Sequence, residues 1–509
     1  MRLRSFLFIF IFLNNLLMAQ ITMQPYHWSM RYFDFLKQYD QIPDVNFLNR
    51  PFDRVELSQH IYQMTNLNDP TLKSMVDLLK EEFKPEFEIF NESFKNFPPF
   101  LGRLNGSFYL YKNHDSPKTD FQINPQIFFP FSKNLSLFVN LKLFKEAPAT
   151  YIGKTFRGLH AYMEQSYLFY QTNHVQLKLG RDFIQFGPGR TGQLLFSDNS
   201  RTFDQYFVKL FNKYLSFSFF GINLDKRHSE SLPQNPNKIA NRYINGHRLS
   251  FNLQNKYFIG MSEVVLYGGP NRNWELAFIN PINFYYASTS NGPHMDANFL
   301  YNFDWDFYFP YNINLYGELL IDDYQVDKKE PGDLEPNEIG LLGGINYTPQ
   351  FIPYSRLNIE YVQIRNRTYN APILDWEKYL HRNEVIGYYL GNDFKLWYAM
   401  FEKWWTARLQ SKLHITFLRK GEGTVRGAFN TDYMNYSVEE GYNEPFPWGI
   451  VESNLQIGLE GFYYLNNWLN MDFIIYWDSY KNFQHVSGRK ENQISMRLNL
   501  FFQLSKLIL

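Results

Sequence analysis

Three arginines, Arg181, Arg190 and Arg201, surround a Gly187-Pro188-Gly189 turn, with Asp182, Asp198 and Asp204 standing among them. A guanidinium is a planar fork of donors that suits carboxylates, so two uses are open. The stretch can tie itself down through internal Arg–Asp pairs, or it can take acidic sugars from outside. Asn199 adds an amide to the same set. The turn is not a phosphate loop, because neither a Gly-Lys-Ser/Thr end nor a helix signal follows it. A second set of chemistry-bearing residues is aromatic: Trp274, Phe278, Phe284, Tyr285, Tyr286, Trp376, Tyr379, Tyr388, Tyr442 and Trp448. Sugars present apolar C–H faces edged with hydroxyls, so flat rings beside Asn, Asp and Arg suit glycan binding. The plainer use of the same rings is in interface girdles or loop packing. The candidate polysaccharide-binding or plug residues are therefore Arg181, Arg190, Asn199, Arg201, Trp376, Tyr379 and Trp448, built around Gly187, Pro188 and Gly189.

Catalytic readings are weaker. The chain has no cysteine, which removes thiol catalysis, Cys-based zinc sites and disulfides. His247 with Ser250, and His414 with Asp304 or Asp306, are the hydrolase candidates, but no Gly-x-Ser-x-Gly elbow accompanies them. Histidines bonded to polar neighbours explain these positions better. His160 and His294 are isolated, and no His-x-x-x-His or acidic cluster suggests a metal. No catalytic residue, metal or cofactor is expected. Lysine plus arginine equals aspartate plus glutamate, so the basic footprint of a nucleic-acid binder is missing.

The elements that must position these residues change character along the chain. Arg2 and Arg4 precede an apolar run from Phe6 to Leu13 and then Leu17-Met18-Ala19, which reads as a signal peptide over 1–19. No later run approaches the roughly 20 apolar residues of a spanning helix. Residues 20–100 have helical periodicity. Trp28, Tyr32, Phe35 and Tyr39 share a face, Asp53 with Glu56 forms a capping box, and Asp69-Pro70 opens a stripe that Pro85 should end. From 101 to 509 the period is two. Ile494, Met496, Leu498, Leu500, Phe502 and Leu504 alternate with Ser495, Arg497, Asn499 and Gln503, and several earlier segments repeat the pattern. A soluble sandwich also alternates, but it seldom carries an aromatic content of 19% with so many rings on its outer side. Apolar residues facing outward and charged residues facing inward suit a lipid-embedded barrel.

Connections alternate between short and long, as in bacterial barrels with periplasmic turns and extracellular loops. Long ones run over 145–158, 183–203, 223–245, 268–296, 368–391 and 419–452. The parity works if Phe394 to Phe401 is a separate short strand that turns at Glu402-Lys403, which gives about 18 strands. The fold class expected is mainly β: a transmembrane antiparallel β-barrel with a small N-terminal periplasmic helical bundle and a plug loop over 184–203.

The pattern Gly180-Arg181, Phe186-Gly187-Pro188-Gly189, Leu194-Leu195 and Ser197-Asp198-Asn199 resembles the central motif of Wzi-type capsule assembly proteins. Many of those carry Trp where Phe186 stands. Leu48 to Leu57, Ser262 to Tyr267 with Asn273 to Asn283, and Leu390-Gly391-Asn392-Asp393 are similar to weaker family segments. The resemblance implies a bacterial outer-membrane barrel with an occluded lumen that attaches or organises capsular or other surface polysaccharide in a lectin-like way. Its implied partners are that polysaccharide, outer-membrane lipid and polysaccharide export machinery. Two other classes stay open: a porin-like channel and, less favoured, an outer-membrane hydrolase.

Overall fold

The structure, a computed structural model, describes residues 20–64, 67–91, 100–112, 117–147, 153–228, 239–288, 297–325, 329–372 and 374–508. The signal segment at 1–19 and His294 lie outside the described residues.

Three helices come first: α1 (Met30–Gln38), α2 (Arg54–Gln63) and α3 (Pro70–Asn91). Asp53 caps α2 by accepting the Glu56 N–H at 2.8 Å, and Asp69 caps α3 by accepting those of Thr71 and Leu72 at 2.9 Å. Pro85 does not end α3, contrary to the stop expected there. Buried ion pairs hold the turn that follows it: Glu86 accepts from Arg54 at 2.6 Å and from Arg103 of the barrel at 2.8 Å. The apolar stripes (Tyr32, Phe35, Leu57, Ile61, Met75 and Leu79 among them) form one core with Trp404, Phe462 and Tyr464 of the barrel wall. The Tyr32 hydroxyl donates to the Ala407 carbonyl at 2.9 Å. The bundle therefore seals one end of the barrel.

The barrel has 18 antiparallel strands. The first nine are β1 (Phe100–Lys112), β2 (Lys118–Pro130), β3 (Leu135–Phe144), β4 (Leu159–Gln171), β5 (Val175–Asp182), β6 (Phe203–Phe211), β7 (Leu215–Asn223), β8 (Ile239–Leu253) and β9 (Tyr257–Pro270). The second nine are β10 (Asn298–Phe309), β11 (Ile313–Asp323), β12 (Glu338–Tyr347), β13 (Ser355–Ile364), β14 (Phe394–Thr406), β15 (Leu409–Lys420), β16 (Glu452–Asn466), β17 (Leu469–Lys481) and β18 (Lys490–Ile508). Each pairs with its chain neighbour, and β1 pairs with β18 from Phe100↔Ile508 to Lys112↔Met496, so no edge is left open. The barrel starts at Phe100, one residue inside the range assigned to the helices.

Two further boundaries differ by several residues from the expectation. β14 runs on to Thr406 and turns at Ala407-Arg408, because a register shift between Trp404 and Thr406 breaks the alternation near Glu402. β8 begins at Ile239 rather than near Asn245, so the connection before it is shorter.

Side chains are inverted relative to a soluble protein. Leu179, Leu413, Ile415, Ile494 and Met496 are exposed outside, while Asn105, Asn140, Gln165, Arg248, Asp304, Glu318 and Glu360 are buried inside. This is the surface of a barrel dissolved in lipid, and it places the protein in the outer membrane. Short turns lie at the end closed by the helices, which is the periplasmic end, and the long connections are extracellular.

One sector of the outer wall is covered. By alternation Tyr243 and His247 of β8, Glu263, Val265 and Tyr267 of β9, and Phe299 and Tyr301 of β10 point outward. The connection after β9 folds down over them with two short helical turns, Leu276–Ile279 and Tyr285–Ser288. Phe278 packs on Tyr267 with ring centroids 4.8 Å apart, and Tyr285 packs on His247 at 4.7 Å. Trp274 lies against Tyr243 and sits so close above Gly221 of β7 that a Cβ there would come within 2.6 Å of its ring. The far side of this strap is apolar: Leu276, Ile282, Phe284 and Tyr286 are 83%, 84%, 74% and 64% exposed.

Candidate functional site

The Gly-Pro-Gly stretch turns into the lumen. Gln185–Phe186 pairs antiparallel with Asn49–Arg50, the Gly187 N–H donates to the Leu48 carbonyl at 3.0 Å, and Arg50 donates to the Gly187 carbonyl at 2.7 Å. The two segments at Leu48 and Gly180 that carry the family resemblance therefore meet inside the barrel. Two wall glutamates grip the backbone of the turn. Glu318 of β11 accepts from the Gly189 and Leu194 N–H groups at 3.1 and 2.7 Å. Glu360 of β13 accepts from the Arg190 and Thr191 N–H groups at 2.7 and 3.0 Å and from the Tyr316 hydroxyl at 2.8 Å. A Cβ at Gly187, whose φ is +113°, would come within 2.3 Å of the Glu318 carboxylate, so the close approach requires glycine.

Arg190 does not use the local aspartates expected as its counter-ions. It pairs with Asp34 of α1, which also accepts from Arg356 of β13 at 2.5 Å. Burial works to raise the Asp34 pKa, but the two guanidiniums outweigh it and hold the carboxyl well below the usual range. Asp182 is taken instead by Lys178, Gln165 and Thr22, and Asp204 binds Arg181 through both oxygens at 2.8 and 2.5 Å.

Above this polar layer the lumen is apolar, so the inward connection is held by an apolar core as well as by its polar contacts. Phe186, Leu194, Leu195 and Phe196 join Tyr369, Tyr379, Leu380, Ile386 and Tyr388 of the connection after β13 in one core with inward wall residues. Tyr379 is fully buried there, and Trp376 is buried beside it. Arg242 fixes that segment by donating to the carbonyls of Trp376, Lys378 and Leu380 at 2.7, 2.6 and 2.9 Å. Trp448 sits elsewhere on the mouth, half-buried, its N–H given to Asp393 at 2.9 Å.

At the extracellular rim, where β4 rises above the end of β5, Arg201 borders one cavity with Asn199 and a smaller notch with Arg181. A cavity of about 330 Å³ lies between β2–β4 and the inward connection, bordered by Tyr26, Lys142, Tyr162, Phe183, Asn199 and Arg201. Arg201 lies over the Tyr162 ring at 4.8 Å. Glu164 forms the floor, accepting from Lys142 at 3.3 Å, from Asn140 at 3.0 Å and from Tyr26. A smaller notch of about 50 Å³ adjoins it, bordered by Arg181, Arg382, Arg201, Tyr162 and Thr202. Sequence reasoning missed Tyr26, Lys142, Tyr162 and Arg382. Lys142 was visible as an inward position of its strand, but no spacing rule links it to the others.

The hydrolase candidates do not assemble. His247 faces outward to Glu263 at 3.1 Å while Ser250 faces the lumen beside Asn49. His414 lies 3.6 Å from Glu460, whereas Asp304 binds Arg248 and Asp306 binds Asn314.

A closed barrel with an apolar outer belt, helices packed against one end and a connection folded into the lumen at the other has the architecture of an outer-membrane barrel. Residues 109–494 match the family described as "Capsule assembly protein Wzi", and the chain belongs to that family. Among solved structures it is similar to Escherichia coli Wzi, described as an outer membrane protein involved in group 1 capsule assembly and a carbohydrate-binding β-barrel. The two share 13% identity over 95% of this chain and 99% of that one, with a TM-score of 0.60. Pseudomonas aeruginosa OprD is also similar, at 11% identity over 81% of this chain and 97% of that one, with a TM-score of 0.47. A comparison with curated protein sequences gives no match.

Proposed function

We propose that this protein holds or organises a surface polysaccharide at the outside of the cell, as a lectin-like barrel rather than an enzyme or an open channel. The observation that carries the reading is the rim cavity, where Tyr162, Arg201 and Asn199 combine a ring face with polar donors above a sealed lumen. Family membership and the carbohydrate binding described for the Escherichia coli relative support it. Polysaccharide export machinery is the partner class that would deliver the polymer to the rim. The test is a deletion strain complemented with wild type or Arg201→Ala, with cell-bound and released polysaccharide measured separately. Wild type is expected to restore cell-bound polymer, and Arg201→Ala to shift polymer into the medium with the barrel still folded by heat-modifiable gel migration. Complementation that leaves cell-bound polymer unchanged, or large open conductance in planar bilayers, would overturn the reading.

A further inference from the structure

If the protein holds a surface polysaccharide as proposed above, the charge pattern of the rim cavity narrows the polymer it fits. Arg181, Arg201 and Arg382 converge on the small notch. Arg382 reaches it from a left-handed turn, with φ of +50° followed by +64° at Asn383, and its N–H is anchored to Asp225 at 2.8 Å. Burial disfavours the Arg382 charge and its neighbours Arg181 and Arg201 disfavour it further, while Asp225 and Asp204 act the other way with smaller effect. The nearby carboxylates are already engaged: Asp204 with Arg181 through both oxygens, and Asp225 with His381 and Arg242 as well as the Arg382 backbone. The larger cavity shares Tyr162, Arg201 and Thr202 with the notch, but beyond them carboxylates predominate: Asp120, Glu146, Asp198 and Glu384 stand there, and the further cation Lys142 is paired with Glu164. Carboxylates there accept sugar hydroxyls and repel a second anion.

We propose that the notch takes the carboxylate of an acidic sugar unit while the larger cavity takes a neutral neighbouring unit, its ring against Tyr162. The polymer selected is one in which acidic and neutral sugars alternate. A guanidinium fork binds a carboxylate bidentately and directionally; with Arg181 already holding Asp204, the Arg382 and Arg201 guanidiniums bordering a space too small for a ring select the charged group itself.

The test uses the full barrel in detergent and isothermal titration with three probes: a hyaluronan tetrasaccharide (alternating uronate and neutral sugar), a tetragalacturonate (every unit acidic) and maltotetraose (neutral). The hyaluronan probe is expected to bind at least about tenfold more tightly than either of the others, and to weaken in high salt. Arg382→Ala should weaken it about tenfold or more, with heat-modifiable migration confirming a folded barrel, and Arg382→Lys should weaken it less. Equal binding of maltotetraose, or indifference to Arg382→Ala, would overturn the acidic-sugar inference while leaving polysaccharide holding intact. Tetragalacturonate binding as tightly as hyaluronan would overturn the alternation. Competition by purified lipopolysaccharide with no binding of any oligosaccharide would assign the notch to a lipid phosphate and overturn the proposal. Failure of the parent reading would be seen independently, in unchanged cell-bound polymer on deletion of the protein.

Discussion

Two long connections leave the same rim in opposite directions. Residues 183–202 fold into the lumen, and residues 271–288 fold down the outside of the wall. The inward segment carries three Gly and two each of Arg, Ser, Thr and Gln and has little secondary structure of its own; several of its backbone N–H groups are met by Glu318 and Glu360 of the wall. The outward segment carries Trp274, Leu276, Phe278, Ile282, Phe284, Tyr285 and Tyr286 and satisfies its backbone largely by itself. Within the segment these bonds come from two helical turns and an Asn283 side chain that donates to the Ala277 carbonyl at 2.9 Å; the wall adds Glu263 and the Tyr267 hydroxyl, which accept the Tyr286 and Glu275 N–H groups at 3.1 and 3.4 Å, and Asn241 and Tyr243, which donate to the Arg272 carbonyl at 2.9 and 3.4 Å. The difference follows from the two solvents. A lumen can supply fixed partners for irregular backbone, whereas hydrocarbon supplies none. A segment lying on the lipid side must bring its own hydrogen bonds and show an apolar outer face.

The largest test of that contrast is at Asp34. Asp34→Ala leaves Arg190 without its carboxylate in the interior, a loss that typically costs about 3–5 kcal/mol for a buried pair. The temperature of the heat-modified gel transition should fall, and bilayer conductance should rise as the plug loosens from α1. Unchanged conductance would mean that the apolar upper core holds the plug without the polar layer. The corresponding change on the strap is Phe284→Arg. Its expected cost is about 1–2 kcal/mol, between the midplane and interfacial values for a lipid-facing arginine, with conductance unaffected. If Phe284→Arg is neutral in lipid bilayers, the strap faces water and the contrast collapses; if it opens the pore, the two connections are not independent.

The barrel was legible because its signal repeats: each strand restates the period of two, and misplacing the turn near Glu402 moved a hairpin without changing the count of strands. The helical seal was legible for a similar reason, from caps at Asp53 and Asp69 and stripes that match a single face. Contacts between distant segments were not legible. Nothing around Arg190 indicates that its counter-ion stands on α1, because that pairing is made by the whole barrel closing around both. The aromatics were ambiguous in a more basic way. Tyr379 is in the upper core, Trp376 is buried outside it, Phe278 and Tyr285 cover the wall, and Phe284 faces outward, yet all five sit in long connections of similar composition. A ring buries equally well against a sugar, a lipid or another ring, so composition alone does not separate these fates.

The smallest effect is expected in the lid above the plug, and it depends on pH. The connection after β13 is tied to the one after β15 by Arg367, which binds Glu444 at 2.7 and 2.9 Å and lies 5.2 Å from the Tyr433 ring. Glu335, on the connection after β11, faces the same group. Burial first and Asp323 next push its carboxyl up to about 7, with Arg367 and Tyr433 acting the other way. A carboxyl raised in the folded state binds more protons there than when unfolded. Its favourable contribution is therefore complete below the unfolded value of roughly 4.3 and is lost as pH rises through about 7. Hydrogen exchange over 429–436, corrected for intrinsic rates, should thus show a few-fold lower protection at pH 8 than at pH 5, while 185–196 in the plug stays unchanged. Glu335→Gln should flatten the dependence at the level of the protonated state. Protection that rises with pH would reverse the sign assigned to Glu335, and equal loosening of the plug would show that lid and plug open as one unit.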